Sequence, residues 1–254
     1  MRRKVLLGAV GIVVVLVAAV WWFVLRDTAP PAPDIDRATQ VAADAQATTA
    51  PATTSEAPAT TSEAPATTAP ATTSEAPATT SFSDFTSSYV GFRVEEELAR
   101  GIGHVEAVGR TPVVDGWFEL DGDTLVAAEI TADLSSIRTD RAGRDGKVKQ
   151  ALDTGTHPEA VFTLTGPVEL VGLPAPGDES ATQIDVTAPG SLTIKGTTNE
   201  VELDLKASLV GEIVTVVGTF DIVFADYGVE APTAPIVVSV EDHGVVEIQL
   251  FLTR

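Results

Sequence analysis

The chain has 254 residues and sets 36 Asp and Glu against 16 Lys and Arg, a formal net charge of -20. That balance repels nucleic acid and anionic lipid head groups, and otherwise favours solubility. Cysteine is absent, so disulfides, thiolate metal sites and cysteine nucleophiles are excluded.

Met1-Arg2-Arg3-Lys4 precedes an uncharged apolar run from Val5 to Leu25 that closes on Arg26-Asp27. About twenty such residues suffice to cross a bilayer. Basic residues ahead of the run keep the amino terminus cytoplasmic and send the remainder outward. A cleaved signal peptide is the rival reading. It normally has a shorter apolar region ending in small residues, whereas this run ends in Val20-Trp21-Trp22-Phe23, aromatic residues suited to a membrane interface. Residues 1–26 are therefore expected to be a cytoplasmic tip and an uncleaved transmembrane helix, placing the protein in the cell membrane with its C-terminal part extracytoplasmic.

Residues 27–83 are of low complexity. The unit PATTSEA stands at Pro51–Ala57, Pro58–Ala64 and Pro70–Ala76. Its period of seven is no coiled coil, because Pro recurs in every unit and no apolar seam exists. The composition predicts a disordered tether reaching on the order of 170 Å if fully extended, or roughly 40 Å as a coil.

Residues 84–254 form the folded domain, and here the pattern changes to alternation. Val90, Phe92 and Val94 come first; then Phe118 and Leu120; then Val126, Ala128, Ile130, Ala132 and Leu134; then Phe162 and Leu164. Val201, Leu203, Leu205, Ala207 and Leu209 follow, then Phe220, Ile222 and Phe224, and lastly Val246, Ile248, Leu250 and Leu252. One dry and one wet face per strand indicates antiparallel sheet, and about eight strands separated by turn residues indicate a sandwich or barrel. Arg141–Leu152 does not alternate and predicts a short helix between strands. An eight-stranded barrel either fills its interior with side chains or holds one small ligand; periodicity leaves both open.

Few residues suggest chemistry. His104, His157 and His243 are dispersed, and none forms an HxH or HExxH pattern, so no metal site is expected. No Ser lies in a GxSxG elbow, and no carboxylate pair stands out as acid and base. The densest basic cluster is Arg138, Arg141, Arg144, Lys147 and Lys149. It suits either a ligand head group, gripped by Arg, or salt bridges to neighbouring Asp133, Asp140, Asp145 and Asp153.

In this order, SSIRT (Ser135–Thr139), Arg144-Asp145, HPEAVF (His157–Phe162), GSLTIKGTTNEVEL (Gly190–Leu203), FADYGV (Phe224–Val229) and VVEIQLFL (Val245–Leu252) resemble the YceI-like family of lipocalin-like β-barrels. The resemblance covers roughly Ser87–Leu252. It implies an all-β, antiparallel, eight-stranded barrel. It implies a binding protein, not an enzyme, without a cofactor, whose partner is a long-chain amphiphilic lipid of polyisoprenoid type. On that analogy Phe92, Phe118, Ile130, Leu134, Phe162, Leu164, Leu203, Leu205, Phe220, Phe224 and Leu250 line the ligand tunnel. Arg138, Arg144 and Asp145 take the head group. The sequence departs from the family pattern at Glu95-Glu96-Glu97-Leu98 and at Gly146-Lys147-Val148, where many members carry His, and this bears on the head-group contacts. The alternative is an envelope barrel without a small-molecule ligand, used for protein contacts.

Overall fold

The structure, a computed structural model, describes residues 29–49, 88–98, 103–172, 182–211, 213–232 and 237–253. The expected membrane helix and the repeats lie outside these residues. Among the described residues no helix is long and apolar enough to cross a membrane.

Among the described residues, twelve antiparallel strands form one curled sheet. They are β1 (Tyr89–Leu98), β2 (Gly103–Thr111), β3 (Val114–Asp121), β4 (Thr124–Asp133), β5 (Arg138–Thr139), β6 (Glu159–Leu164), β7 (Val168–Glu169), β8 (Thr182–Ile194), β9 (Thr197–Val210), β10 (Ile213–Val223), β11 (Val237–Val240) and β12 (His243–Thr253). Their lateral order is β3-β4-β6-β8-β9-β10-β12-β1-β2-β5, with β7 on β4 and β11 on β1. The sheet surrounds a lumen.

The expected count of eight strands is corrected to twelve, for two physical reasons. β5, β7 and β11 are short pairing segments of two to four residues, too brief to show a period. β2 is full-length but buried on both faces along Ala107–Thr111, so its sequence shows no contrast between them. A second correction concerns β4. The β3–β4 register shifts between Glu119 and Leu120, where Leu120 faces Leu125 and Glu119 faces Ala127. The extra residue reverses the alternation: Leu125 lines the lumen and Val126, expected inside, is 42% exposed.

The GSLTIKGTTNEVEL stretch is the β8–β9 hairpin. Its two-residue turn, Lys195-Gly196, has both φ values positive, at 51° and 76°, the geometry that matches strand twist in tight hairpins. FADYGV closes β10 with a 3-10 turn, Phe224–Tyr227, stopped by Gly228 at φ 62°.

Two helices accompany the sheet. α1 (Ile35–Thr49) falls within the expected tether. Asp34 accepts the Arg37 amide at 2.9 Å, capping the first turn. Ile35, Ala38 and Ala42 are buried, a helical spacing on one face. α2 (Ala142–Ala151) lies within the stretch predicted helical.

Candidate functional site

Lumen-facing residues recur every second position along much of β1, β6, β9 and β12, and the wall is chiefly apolar. All the apolar candidates, from Phe92 through Leu250, lie on it. Its volume is about 610 Å³. On β8 the wall runs from Val186 to Ile194, eight residue steps or roughly 25 Å along the strand.

Glycines keep the tube open. Phe92 pairs across the ladder with Gly109, and a methyl group on Gly109 would strike the Phe92 ring. Phe162 covers Gly190 in the same way. Each ring therefore lies against the wall where a neighbour has no side chain, and the lumen between the rings stays free.

The polar end of the lumen lies beneath α2. Glu96 projects inward at the end of β1 and is only 7% exposed. Arg144 reaches it from α2 at 2.6 Å and also holds Asp140 at 2.7 Å. Lys147 and Arg141 line the same end of the lumen. A desolvated carboxylate needs such a partner, and Arg144 supplies it with a second N–H directed to Asp140.

The head-group candidates are not brought together. Arg144 borders the lumen, but Arg138 on β5 is exposed to solvent and is not part of the wall. Asp145 turns away and accepts the Thr139 amide at 2.8 Å and its hydroxyl at 2.7 Å. It pins α2 to β5, which is what places Arg144. Sequence reading missed Glu96 as a site residue. The signal was its place among Glu95-Glu96-Glu97, with only the middle residue in phase with Val90, Phe92 and Val94.

A second buried polar group sits on the outer wall. Glu247 is 0% exposed; it accepts from Arg93 Nε at 2.8 Å and from Arg110 Nη2 at 2.6 Å. Arg110 lies 4.3 Å above the Tyr89 ring, a cation–π contact. Burial pushes the Tyr89 hydroxyl up to about 12, an effect that the Arg110 charge partly offsets. Burial also works against the Arg93 charge, but Glu247 and Glu106 outweigh it and raise its pKa.

The histidines remain apart. His157 packs by Gly196, and His243 lies exposed in the β11–β12 turn beside Glu241 and Asp242. Among the described residues no group of His, Asp and Glu is arranged to hold a metal ion.

A family model for the YceI-like domain matches residues 83–252. Solved structures similar to this chain include BcnA of Burkholderia cenocepacia, at 20% identity over 65% of this chain and 96% of that one, with a TM-score of 0.47. A polyisoprenoid-binding domain of Saccharophagus degradans, implicated in plant cell wall breakdown, is 21% identical over 65% of this chain and 93% of its own, with a TM-score of 0.49. A YceI protein of Campylobacter jejuni is 16% identical over 57% of this chain and 84% of its own, with a TM-score of 0.45. No curated protein sequence matches the chain.

Proposed function

The chain belongs to the family of YceI-like domains, and from that premise and its lumen we propose that it is a binding protein holding one long apolar chain inside a β-barrel. The observation that carries this is the lumen itself: about 610 Å³, walled chiefly by Phe, Leu, Ile, Val and Ala. Each Å² of apolar ligand surface withdrawn from water contributes roughly 25 cal/mol, so affinity needs no polar chemistry. A polyisoprenoid-like or other long-chain amphiphile fits, with its polar end at the Glu96–Arg144 opening. Binding, not catalysis, is the activity this wall supports. An open lumen also favours a ligand-holding barrel over a filled one used only for protein contacts.

The proposal includes the membrane. The basic tip and apolar run of residues 1–26 hold the protein in the cell membrane, with its barrel extracytoplasmic. Leu203→Glu and Phe220→Glu place a carboxylate in the tube. Uptake of a fluorescent long-chain lipid should fall more than tenfold in each while the circular dichroism of the barrel is unchanged. Undiminished uptake by a folded Leu203→Glu protein would remove the lumen as the site.

A further inference from the structure

The segment preceding the repeats is docked on the outside of the barrel. The Pro30 carbonyl accepts from Arg93 Nη2 at 2.6 Å and the Pro31 carbonyl from Arg110 Nη2 at 2.9 Å. α1 then crosses β9 and β10. Ile35 and Ala38 bury against Val217, with Phe251 beside them, and Gln183 donates to Asp36 at 2.6 Å. Gln46 reaches Gly211 in the β9–β10 turn.

These contacts have a direction. Arg93 faces Val245, near the start of β12, toward the end of the barrel where Glu96 and Arg144 pair. Gly211 marks the opposite end. The segment thus descends the wall away from the Glu96–Arg144 end, and its Pro30 lies in the half of the barrel nearer Arg144. The connectivity is equally informative. Residues 50–87 begin at the end of α1 and rejoin the barrel at Ser88, so both of their ends are on it. The path from residue 28 to the barrel does not pass through them.

We infer that Ala29–Thr49 is a strap that holds the barrel against the lipid surface with its Arg144 end toward the bilayer. The membrane part rests on reading residues 5–25 as an anchor; the docked strap does not. The strap shortens the sequence-derived tether to the few residues before Pro30. It sets the opening beside a source of long-chain amphiphiles, which suits a barrel that exchanges its ligand with a membrane. Its hold is modest. The apolar contact is one Ile and small Ala side chains, and the buried hydroxyls of Thr39, Ser208 and Thr215 make no hydrogen bond in the interface. A 15-residue helix is marginal alone, so undocking also unwinds α1.

The test uses the full chain in phosphatidylcholine vesicles, with a specific protease site introduced within residues 50–87. After cleavage most of the barrel should still float with the vesicles. Ala38→Glu, which forces a charge into the Val217 contact without altering the barrel, should release most of it on cleavage and none before. Complete release of the uncharged protein on cleavage, together with rapid hydrogen exchange of α1 amides in the uncut chain, would overturn the strap. Orientation is read on the same vesicles. The chain has no Cys, so Gln150→Cys on α2 and Asp121→Cys at the far end take a fluorophore uniquely. A head-group acceptor should quench the Gln150 label severalfold more; equal or reversed quenching would overturn the orientation. A chain that fails to float would end the anchor reading and the membrane part of the inference, while exchange at α1 still reports the strap. Lipid uptake by the lumen is measured apart from all of these.

Discussion

The Phe92 ring lies across Gly109, its partner on the neighbouring strand, and occupies the space where a side chain would stand. Phe162 lies across Gly190 in the same way, and both rings are thereby held against the wall of the lumen. A methyl group at position 109 would turn the ring into the lumen. Gly109→Ala should therefore lower affinity for a long-chain lipid by about tenfold, and overpacking should cost roughly 1–3 kcal/mol of stability. Parallel lipid titration and urea unfolding check both effects; a stability loss with unchanged affinity would mean that the ring finds another place on the wall.

Arg144 meets Glu96 at the opening, where a ligand's polar end would emerge. Arg144→Ala should weaken binding of a chain with an anionic head group about tenfold, roughly 1.4 kcal/mol, and change binding of the corresponding neutral chain less than twofold. Competition between a polyprenyl phosphate and the matching polyprenol measures the ratio. An unchanged ratio would take Arg144 out of head-group selection.

The outer ion cluster makes a stability prediction independent of any ligand. Glu247 neutralises Arg93 and Arg110 within the wall. Glu247→Ala removes the carboxylate that the two guanidiniums share, leaving Arg93 paired with Glu106 alone, and breaking such a buried arrangement costs on the order of 3–5 kcal/mol. Equilibrium urea unfolding should show the loss as a lower midpoint with little change of slope.

Both tyrosines of the chain are held in the neutral form. Burial raises Tyr89 to about 12, and burial likewise raises Tyr227. A group whose folded pKa lies above its unfolded value contributes stability that is complete below the unfolded pKa. For Tyr89 that contribution, roughly 3 kcal/mol by linkage, should be intact at about pH 9 and disappear between about pH 10 and 12. Tyrosinate absorbance should show Tyr89 still neutral near pH 10 in the folded protein, and unfolding should accompany its titration at higher pH. A normal titration of both groups in a folded protein would contradict the burial of Tyr89.

Much of the barrel could be read from the sequence because one face of it is uniformly dry. Phe162 and Leu164, Leu203 to Leu209, and Val246 to Leu252 alternate with polar residues, and their phase alone places them on the lumen. What stayed hidden has physical causes. β2 lost its contrast because both faces of Val108–Thr111 are covered, and Val126 was misplaced because a bulge is silent in a hydrophobicity pattern. α1 was masked by its Ala, Thr and Gln composition, although Asp34 and the Ile35, Ala38, Ala42 spacing mark its cap and buried face. The head-group set was only partly legible: Arg144 and Asp145 are adjacent in sequence but a helix points them apart, and Glu96 comes from a distant strand.

The most direct test of the account is native mass spectrometry of residues 29–254, purified without detergent and then incubated with polyprenyl lipids of graded length. The account predicts a single bound chain per barrel, extractable into organic solvent, with affinity rising with chain length until the tube is filled. A barrel that stays free of lipid at every length, while retaining its fold, would contradict it.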